Sequence, residues 1–337
     1  MADFSILIQE WYRLNKRDLP WRDTNSAYKV WISEIILQQT QVIQGLDYYI
    51  KFVSNFPTIY DLANADEDEV LKLWQGLGYY SRARNLHFAA KQVVNDFNGV
   101  FPIAYKDLMV LKGVGEYTAS AISSIISNLP HAVVDGNVFR VLSRCFLIAT
   151  PINSTKGKKE FTILANELLD PKHAGDHNQA IMEIGALVCK PKNPQCDVCP
   201  IQTKCLSFGD NTMLDYPKKD KKVKVRNRYL NYIVTTDKTN IVIKKRGPKD
   251  IWQGLFDFPL IETDKASDDM GVEIYLDKQI KHILSHQHIY ASFWIKEVKK
   301  LTIEEPEKIV KLTDLEDYAL PQLLVKYLNT SDYFNVN

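Results

Sequence analysis

The stretch of sequence that decides the fold is LKGVGEYTASAI, residues 111–122. It joins two segments with helical periodicity, residues 104–110 and 116–127. Glycines at positions 113 and 115 let the backbone approach a ligand closely and leave N–H groups unpaired where the next helix begins, which favours a bound phosphate. The same pattern is typical of a tight helix–helix turn that binds nothing, so the stretch alone leaves both interpretations open.

The helical pattern extends on both sides of this turn. Through residues 1–205, apolar side chains recur three and four apart, and Gly or Pro interrupts the pattern at intervals of ordinary helix length. The composition, with 45% apolar and 25% charged residues, is that of a globular protein and excludes a wholly disordered chain. Residues 1–205 therefore predict an all-α domain.

The pattern changes in the last third of the chain. Residues 229–236 and 241–246 alternate apolar and polar side chains around a turn, which predicts a β hairpin. Residues 290–298 alternate again, and residues 315–328 predict a closing helix. We therefore expect residues 229–337 to form an α+β domain, and the length of 337 residues fits two globular units.

A basic segment, residues 206–228, separates the two predicted domains. The net charge of the whole chain is only +1, so any anionic partner has to be bound by a local patch. Within it, residues 218–228 carry one acid, Asp220, and seven cations: Lys218, Lys219, Lys221, Lys222, Lys224, Arg226 and Arg228. It is interpreted as a linker that either contacts phosphate or acts as a solvated tether.

The amino-terminal sequence does not resemble a targeting segment. It carries acids where a secretory signal needs a basic start, and it has no uninterrupted apolar core. The longest charge-free run, residues 117–134, contains Ser, Thr, Asn, Pro and His, so no membrane span is predicted. We therefore expect a cytoplasmic protein.

Four of the five cysteines are clustered, with the spacing C-x6-C-x2-C-x5-C. In a reducing compartment such a cluster indicates a metal site rather than disulfides. Zinc sites usually use two C-x2-C pairs, whereas this loop has one pair and wider gaps, which favours a four-iron cluster over zinc. The predicted ligands are Cys189, Cys196, Cys199 and Cys205, and Cys145 is interpreted as a small core residue.

Two carboxylates have unlike surroundings. Glu34 lies in a helical segment among mainly apolar neighbours, where desolvation raises a carboxyl pKa and suits a proton donor. Asp135 lies at the apparent start of a helix, a position that favours the ionised form. Each also has a structural interpretation, a solvated glutamate or a simple helix cap, and spacing alone does not show that the two meet.

Several motifs together resemble one known family. They are SEIILQQTQV at 33–42, WQGLGYYSRARNL at 74–86, LKGVGEYTASAI at 111–122, VDGNVFRV at 134–141 and the cysteine loop. In this order they resemble the helix-hairpin-helix DNA glycosylases, and among these the MutY-type adenine DNA glycosylases. The resemblance implies a multi-domain protein: an all-α helix-hairpin-helix core with a [4Fe-4S] cluster on the four cysteines, then a MutT-like (Nudix-like) α+β domain.

The resemblance also implies an activity, namely removal of adenine mispaired with 8-oxoguanine in double-stranded DNA by a monomeric enzyme. Glu34 would protonate the flipped adenine at N7, and Asp135 would stabilise or trap the resulting sugar cation. The other implied residues fall into three groups. Tyr117 and Asn137 would position the catalytic groups; Leu19, Trp21, Arg22 and Gln179 would line the adenine pocket; Gln38, Tyr79, Leu111, Lys112, Gly113, Val114 and Gly115 would contact DNA.

One position separates close relatives. In the endonuclease III branch a lysine follows the hairpin glycines and attacks the sugar, and here Tyr117 takes its place. A phenol cannot form a Schiff base, so the resemblance implies a monofunctional glycosylase. A bifunctional glycosylase and AP lyase of the endonuclease III kind, and a non-catalytic metal-containing DNA-binding protein, are the alternatives.

The carboxy-terminal half resembles the MutT-like recognition domain of the same enzymes, in GPKDIWQGLFDFP at 247–259 and HILSHQH at 282–288. The acidic Nudix signature is absent, so nucleotide hydrolysis is not expected. Ser285 and His286 match the loop that recognises 8-oxoguanine, although Leu284 stands where the family usually has Phe. A solvated turn is the alternative interpretation of this loop.

Overall fold

The computed structural model describes residues 2–220 and 225–334 of the chain. These residues divide into two compact units, each of which is discontinuous in sequence. Of the described residues, the first unit contains 2–45, 53–63 and 88–220, and the second contains 46–52, 64–87 and 225–334. The sequence-based boundaries at 205 and 228 did not anticipate that helical segments from the first half join the second unit.

All regular structure within residues 2–220 is helical, as the sequence predicted for residues 1–205. The α-helices are α1 (Ala2–Asn15), α2 (Ala27–Ile36), α3 (Val42–Asn55), α4 (Ile59–Asn64), α5 (Glu67–Leu73), α6 (Ser81–Asp96), α7 (Tyr105–Leu108), α8 (Glu116–Ser127), α9 (Gly136–Cys145), α10 (Thr155–Leu168), α11 (Ala174–Leu187) and α12 (Leu206–Gly209). Short 3-10 helices follow the helical core at Cys196–Val198, Gln202–Lys204 and Met213–Asp215.

Local sequence explains where the helices that carry the candidate site begin and end. Ser26 caps α2 with its side chain, and Asp135 caps α9 in the same way. Helix α8 ends at Asn128, which adopts the left-handed conformation that Asn tolerates. The helices α1, α8, α9, α10 and α11 contribute to one apolar core, with Ile8, Leu142 and Phe161 fully buried in it.

A mixed sheet forms most of the second unit, with strand order β3-β2-β1-β6-β5. Its strands are β1 (Arg226–Thr236), β2 (Asn240–Lys245), β3 (Phe256–Asp257), β4 (Leu260–Thr263), β5 (Ile274–Ile283), β6 (Gln287–Glu297) and β7 (Glu307–Lys311). The predicted hairpin is confirmed, because β1 and β2 pair antiparallel around residues 237–239. Strands β1 and β6 pair in parallel, and β4 and β7 pair with β1 and β2 respectively.

The closing helix is shorter than predicted. Instead of one helix over residues 315–328, the chain forms a 3-10 helix at Leu312–Asp317 and then α13 (Gln322–Thr330). Pro321 separates the two, because a proline disfavours helical geometry in the residue before it. Helix α13 packs Tyr327 against Phe293 of β6, with ring centroids 3.8 Å apart.

The basic segment 206–228 is not a featureless linker in its described part. It contains α12, one 3-10 helix and the start of β1. Lys221, Lys222 and Lys224 lie outside the described residues. The architecture otherwise confirms the predicted fold class, an all-α region followed by an α+β region.

Helical residues of the second unit contact its sheet region directly. Arg84 of α6 donates to the carbonyl oxygen of Gln253 at 2.7 Å. The side-chain oxygen of Gln75, between α5 and α6, accepts from the Leu320 N–H at 3.2 Å. Lys245 of β2 forms an ion pair with Asp68 of α5. The helical segment 64–87 and the sheet region are thus one packed body.

Among residues 2–220 and 225–334, no helix combines the length and the apolar character needed to cross a lipid bilayer.

We predict that Phe293→Ala destabilises the second unit by about 3–5 kcal/mol, because it removes a buried ring from the stack with Tyr327 and leaves a cavity. Urea unfolding followed by circular dichroism measures the change. Val272→Ala, at a position 92% exposed, is the matched control and should leave the midpoint unchanged. Equal midpoints for Phe293→Ala and the unmodified protein would contradict the proposed core.

Candidate active site

Glu34 lies on the buried face of α2. Its side chain is only 9% exposed, and its helical neighbours Trp31 and Ile35 are buried too. The pKa of Glu34 is raised to about 7, chiefly by burial; a hydrogen bond from Tyr117 lowers it, and the nearby charge of Asp135 raises it. A carboxyl with this pKa carries a proton for much of the time at neutral pH, as the apolar surroundings in the sequence predicted.

Asp135 is the N-cap of α9 and is held on both carboxylate oxygens. Oδ1 accepts from the backbone N–H groups of Asn137 at 2.9 Å and Val138 at 2.8 Å, and Oδ2 accepts from the Asn137 side chain at 2.8 Å. The sequence predicted that the helix start would favour the ionised form. These bonds do lower the pKa of Asp135, but burial outweighs them and the net shift is upward.

Tyr117 lies in the first turn of α8, directly after the glycine turn. Its hydroxyl faces the Glu34 carboxyl and is 3.4 Å from the Met182 sulfur. A thioether is a weak acceptor, so the carboxyl is the better partner for this single donor. Burial, together with the charges of Glu34 and Asp135, raises the pKa of Tyr117 well above its usual value. The phenol therefore stays protonated and acts as a donor.

Glu34, Asp135 and Tyr117 are thus brought together from three helices. Each carboxyl is within electrostatic range of Tyr117, and Asp135 raises the pKa of Glu34. A largely protonated acid near a second, hydrogen-bonded carboxyl is an arrangement that can support hydrolysis of a glycosidic bond. The sequence named these residues, but only the fold shows that they meet.

A chain of hydrogen bonds leads from Asp135 to the cysteine loop. Asn137 donates to Asp135, and Arg140 donates to the Asn137 side-chain oxygen at 2.8 Å. The same guanidinium donates to the carbonyl oxygens of Cys189 at 2.6 Å and Gly185 at 2.7 Å. Arg140, which the sequence analysis did not single out, therefore connects the acid of α9 to the first residue of the loop.

The residues expected to line the adenine pocket lie within the same unit. Leu19 and Trp21 are buried, and the Arg22 guanidinium donates to both oxygens of Glu183 at 2.8 and 2.9 Å. Gln179 accepts a hydrogen bond from the Tyr12 hydroxyl at 3.0 Å. The positive charge of Arg22 also lowers the pKa of Glu34, so this group is electrostatically coupled to the acid.

Glu183 and Tyr12 support this group through Arg22 and Gln179, and the sequence analysis missed them. Glu183 is 1% exposed and also binds Arg17; burial alone would raise its pKa, but the bonds from Arg17 and Arg22 hold it at about 2. Nothing in the local sequence marks these residues, because their partners are more than 150 positions away along the chain. A buried acid on α11 without a local cation is the only signal that could have drawn attention to Glu183.

The four clustered cysteines line one cavity. Cys189, Cys196, Cys199 and Cys205 form its wall together with apolar side chains and Cys145. Within the described part of the chain, no three His, Cys, Asp or Glu side chains converge closely enough to hold a single metal ion, and no cysteine forms a disulfide. Four thiols around an apolar cavity are a donor set that suits a larger iron–sulfur group.

Arg144 is part of the cavity wall and lies next to Cys189. It is 2% exposed, and its guanidinium lies 3.4 Å from the Cys189 sulfur and donates to the carbonyl oxygens of Lys190 and Pro191 at 2.8 and 2.9 Å. Such donors stabilise a thiolate and fix the backbone next to it. Cys145 is buried, as predicted, although it also lies in the cavity wall.

The glycine turn at 111–115 exposes its backbone directly before α8. Leu111 and Val114 are buried and anchor it, whereas Lys112, Gly113 and Gly115 are exposed. Gly113 has a φ of +80°, which other residues rarely adopt. Gly115 caps α8 without a side-chain hydrogen bond, so the first N–H groups of α8 stay available to an anion.

The remaining residues predicted to contact DNA are divided between the two units. Gln38 lies next to α8 in the first unit, with its amide nitrogen 3.4 Å from the Thr118 hydroxyl. Tyr79 lies in the second unit, 46% exposed and in the left-handed conformation, and its hydroxyl is 2.8 Å from that of Ser285. Ser285 and His286 form the exposed turn between β5 and β6.

Comparison with known proteins gives two family matches. Residues 32–170 match the HhH-GPD superfamily of base excision DNA repair proteins, and residues 231–330 match the NUDIX domain. A protein named adenine DNA glycosylase from Buchnera aphidicola subsp. Schizaphis graminum is 38% identical over 86% of this chain and 84% of its own length. One of the same name from Buchnera aphidicola subsp. Baizongia pistaciae is 34% identical over 99% of this chain and 98% of its own.

Among solved structures, a thermostable thymine-DNA glycosylase is 29% identical to this chain, with a TM-score of 0.56 over 61% of this chain and 95% of that one. A non-covalent endonuclease III–DNA complex has a TM-score of 0.53 at 20% identity, covering 62% of this chain and 96% of the other. The latter similarity shows a shared helical fold.

Proposed function

Because the chain belongs to the adenine DNA glycosylase family, we propose that it removes adenine from DNA by hydrolysing the N-glycosidic bond. One observation carries this proposal: the buried Glu34 carboxyl, with a pKa of about 7, faces Asp135 and Tyr117 in one site. A DNA-binding protein without catalysis has no need to bury two interacting carboxyls, since such burial costs free energy. Cleavage of the bond between a base and its sugar explains why Glu34 and Asp135 are buried near each other.

The reaction begins when the adenine leaves the base stack, because its glycosidic bond is not accessible inside a duplex. The open N–H groups of α8 behind the 111–115 turn hold a backbone phosphate. Protonated Glu34 gives its proton to N7 of the base, and the bond between the sugar C1′ and N9 breaks with its electron pair on the base. Adenine departs as a neutral molecule, and an oxocarbenium-like sugar remains.

Asp135 then acts on the sugar. Its carboxylate stabilises the cation or bonds to C1′; water then adds its oxygen to C1′, releasing Asp135 if it is bonded there, and gives its proton to the Glu34 carboxylate, which restores the acid. Asn137 and the two backbone N–H groups hold the carboxylate in place, so it does not need to reorganise during the reaction. Tyr117 keeps its proton and offers no amine, so the lyase reaction has no nucleophile at this position.

The proposed substrate is adenine opposite 8-oxoguanine in double-stranded DNA. The support comes from the second unit, where the hydroxyls of Tyr79 and Ser285 are 2.8 Å apart. Tyr79 is exposed and held in an unusual backbone conformation, as suits an aromatic side chain that enters a duplex. The hydrogen bond connects it to the turn that would recognise the oxidised base.

We further propose that Cys189, Cys196, Cys199 and Cys205 hold a [4Fe-4S] cluster. The support is the chemistry of the cavity wall: it holds the four thiols of the loop together with that of Cys145, has no carboxylate or imidazole, and has Arg144 donating toward Cys189. A bound cluster would supply four iron–thiolate bonds that fix the loop and a one-electron redox centre. No step of adenine removal passes through it.

We predict that the purified protein excises adenine opposite 8-oxoguanine and leaves the strand intact until it is treated with hot alkali. The reason is that hydrolysis leaves an abasic site and Tyr117 cannot cleave next to it. A labelled duplex resolved on a denaturing gel gives the answer. Strand breakage without alkali would indicate lyase activity, and a duplex that still carries adenine after incubation would refute the proposed function.

We predict that Glu34→Gln binds the same duplex but excises adenine at least about a hundredfold more slowly, because it removes the proton donor. In the unmodified enzyme the single-turnover rate should fall about tenfold per pH unit above 7, as Glu34 loses its proton. It should also fall in acid, where Asp135 becomes protonated. Glu10→Gln, at an exposed position, is the matched control, and normal turnover by Glu34→Gln would exclude Glu34 as the acid.

We predict that Ser285→Ala lowers the preference for 8-oxoguanine over guanine opposite adenine by about 3- to 10-fold, the effect of losing one hydrogen bond. The ratio of single-turnover rates on the two duplexes measures this preference. Ser267→Ala in the same unit is the control. An unchanged ratio would show that the Ser285 hydroxyl has no part in recognising the opposite base.

We predict about four iron atoms per chain and a broad brown absorbance in protein purified without oxygen. Cys199→Ser should lose most of the iron, whereas Cys145→Ala should keep it, because Cys145 is not a predicted ligand. Metal analysis and absorbance spectra provide the readout. A colourless, zinc-loaded preparation would contradict the proposed cofactor.

A further inference from the structure

Tyr12 of α1 contacts two of the residues expected around the adenine. Its hydroxyl donates to Oε1 of Gln179 on α11 at 3.0 Å, and the Arg22 guanidinium lies 5.4 Å above its ring. Tyr12 is only 3% exposed, and burial raises its pKa to about 12, so the hydroxyl keeps its proton at neutral pH. The buried Tyr12 side chain thus contacts both the Gln179 amide and the Arg22 guanidinium.

The hydrogen bond from Tyr12 engages the oxygen end of the Gln179 amide. A glutamine amide has an acceptor end and a donor end of nearly the same shape, and rotation by half a turn exchanges them. In this bond the Tyr12 hydroxyl donates and the Gln179 oxygen accepts, which leaves the two N–H bonds of the amide for another acceptor. Gln179 is half-buried, so those donors remain accessible.

The position of Tyr12 is itself fixed. Glu183 binds Arg22 through two hydrogen bonds, and Arg22 in turn lies over the Tyr12 ring. Arg22 also lowers the pKa of Glu34, which puts this network within electrostatic range of the acid. A continuous series of contacts therefore runs from Glu183 through Arg22 and Tyr12 to the Gln179 amide.

We propose that Tyr12 is a positioning residue that sets the orientation of the Gln179 amide, so that its N–H donors recognise a ring-nitrogen acceptor of the extruded purine. Adenine offers such an acceptor, whereas a base with an N–H at the same place meets a second donor and is rejected. The inference rests on the proposed function. It goes beyond that function because it assigns base selectivity to a residue outside the pocket wall.

Tyr12→Phe tests the inference, since it removes the hydroxyl and keeps the ring beneath Arg22. The adenine excision rate should fall about 3- to 10-fold, as expected for one hydrogen bond. In a Gln179→Met background the same substitution should change the rate less than about 2-fold, because the amide it acts on is gone. Tyr28→Phe, which loses a buried hydroxyl bonded to the Phe56 carbonyl oxygen at 2.7 Å, is the matched control.

The second readout is selectivity, which a purely structural role would not alter. Duplexes with adenine, 1-deazaadenine or 3-deazaadenine opposite 8-oxoguanine are compared, because each analogue lacks one ring-nitrogen acceptor. The unmodified enzyme should excise one analogue more slowly than adenine. Tyr12→Phe should reduce the ratio of the adenine rate to the rate for that analogue. Thermal unfolding of each variant shows how much of a rate loss reflects lower stability.

The outcomes separate this inference from the proposed function. If the unmodified enzyme excises adenine but the effects of Tyr12→Phe and Gln179→Met are additive, the inference is wrong and the proposed function stands. The inference is also wrong if Tyr12→Phe leaves the ratio of the adenine rate to the analogue rate unchanged. If the unmodified enzyme does not excise adenine, the proposed function and this inference both fail.

Discussion

The burial of two carboxyls in one helical unit is the constraint on which the rest of the site depends. Desolvation raises the pKa of both Glu34 and Asp135, and each group would be costly to bury without compensation. Compensation comes from their partners, the Tyr117 hydroxyl for Glu34 and three N–H groups for Asp135. Glu34 is therefore mainly a proton donor, whereas Asp135 accepts hydrogen bonds that favour its ionised form.

The supports of these groups extend well beyond the site. On one side, Asn137 and Arg140 connect Asp135 to the carbonyl oxygen of Cys189, so the cysteine loop and the acid share a rigid hydrogen-bonded path. On the other side, Glu183 forms ion pairs with Arg17 and Arg22, and the charge of Arg22 lowers the pKa of Glu34. A change in either support would alter the geometry or the charge around the carboxyls without touching them.

Sequence reasoning identified what local pattern can encode. Glycine positions, capping residues and apolar spacing predicted α8 to the residue, and the apolar neighbours of Glu34 gave the direction of its pKa shift. It could not supply pairs that only tertiary packing creates, such as Tyr12 with Gln179 or Tyr79 with Ser285. It also misjudged the net shift of Asp135, because a capping pattern shows the hydrogen bonds but not the depth of burial.

The discontinuous second unit has a consequence for how the chain folds during synthesis. The segment 64–87 is made early, yet its partners Gln253 and Leu320 are added more than 160 residues later. Until they emerge from the ribosome, these helices lack part of their packing surface, and closing such long loops slows folding. The carboxy-terminal region is therefore a folding partner of the helical half and not an appendage added to a finished enzyme.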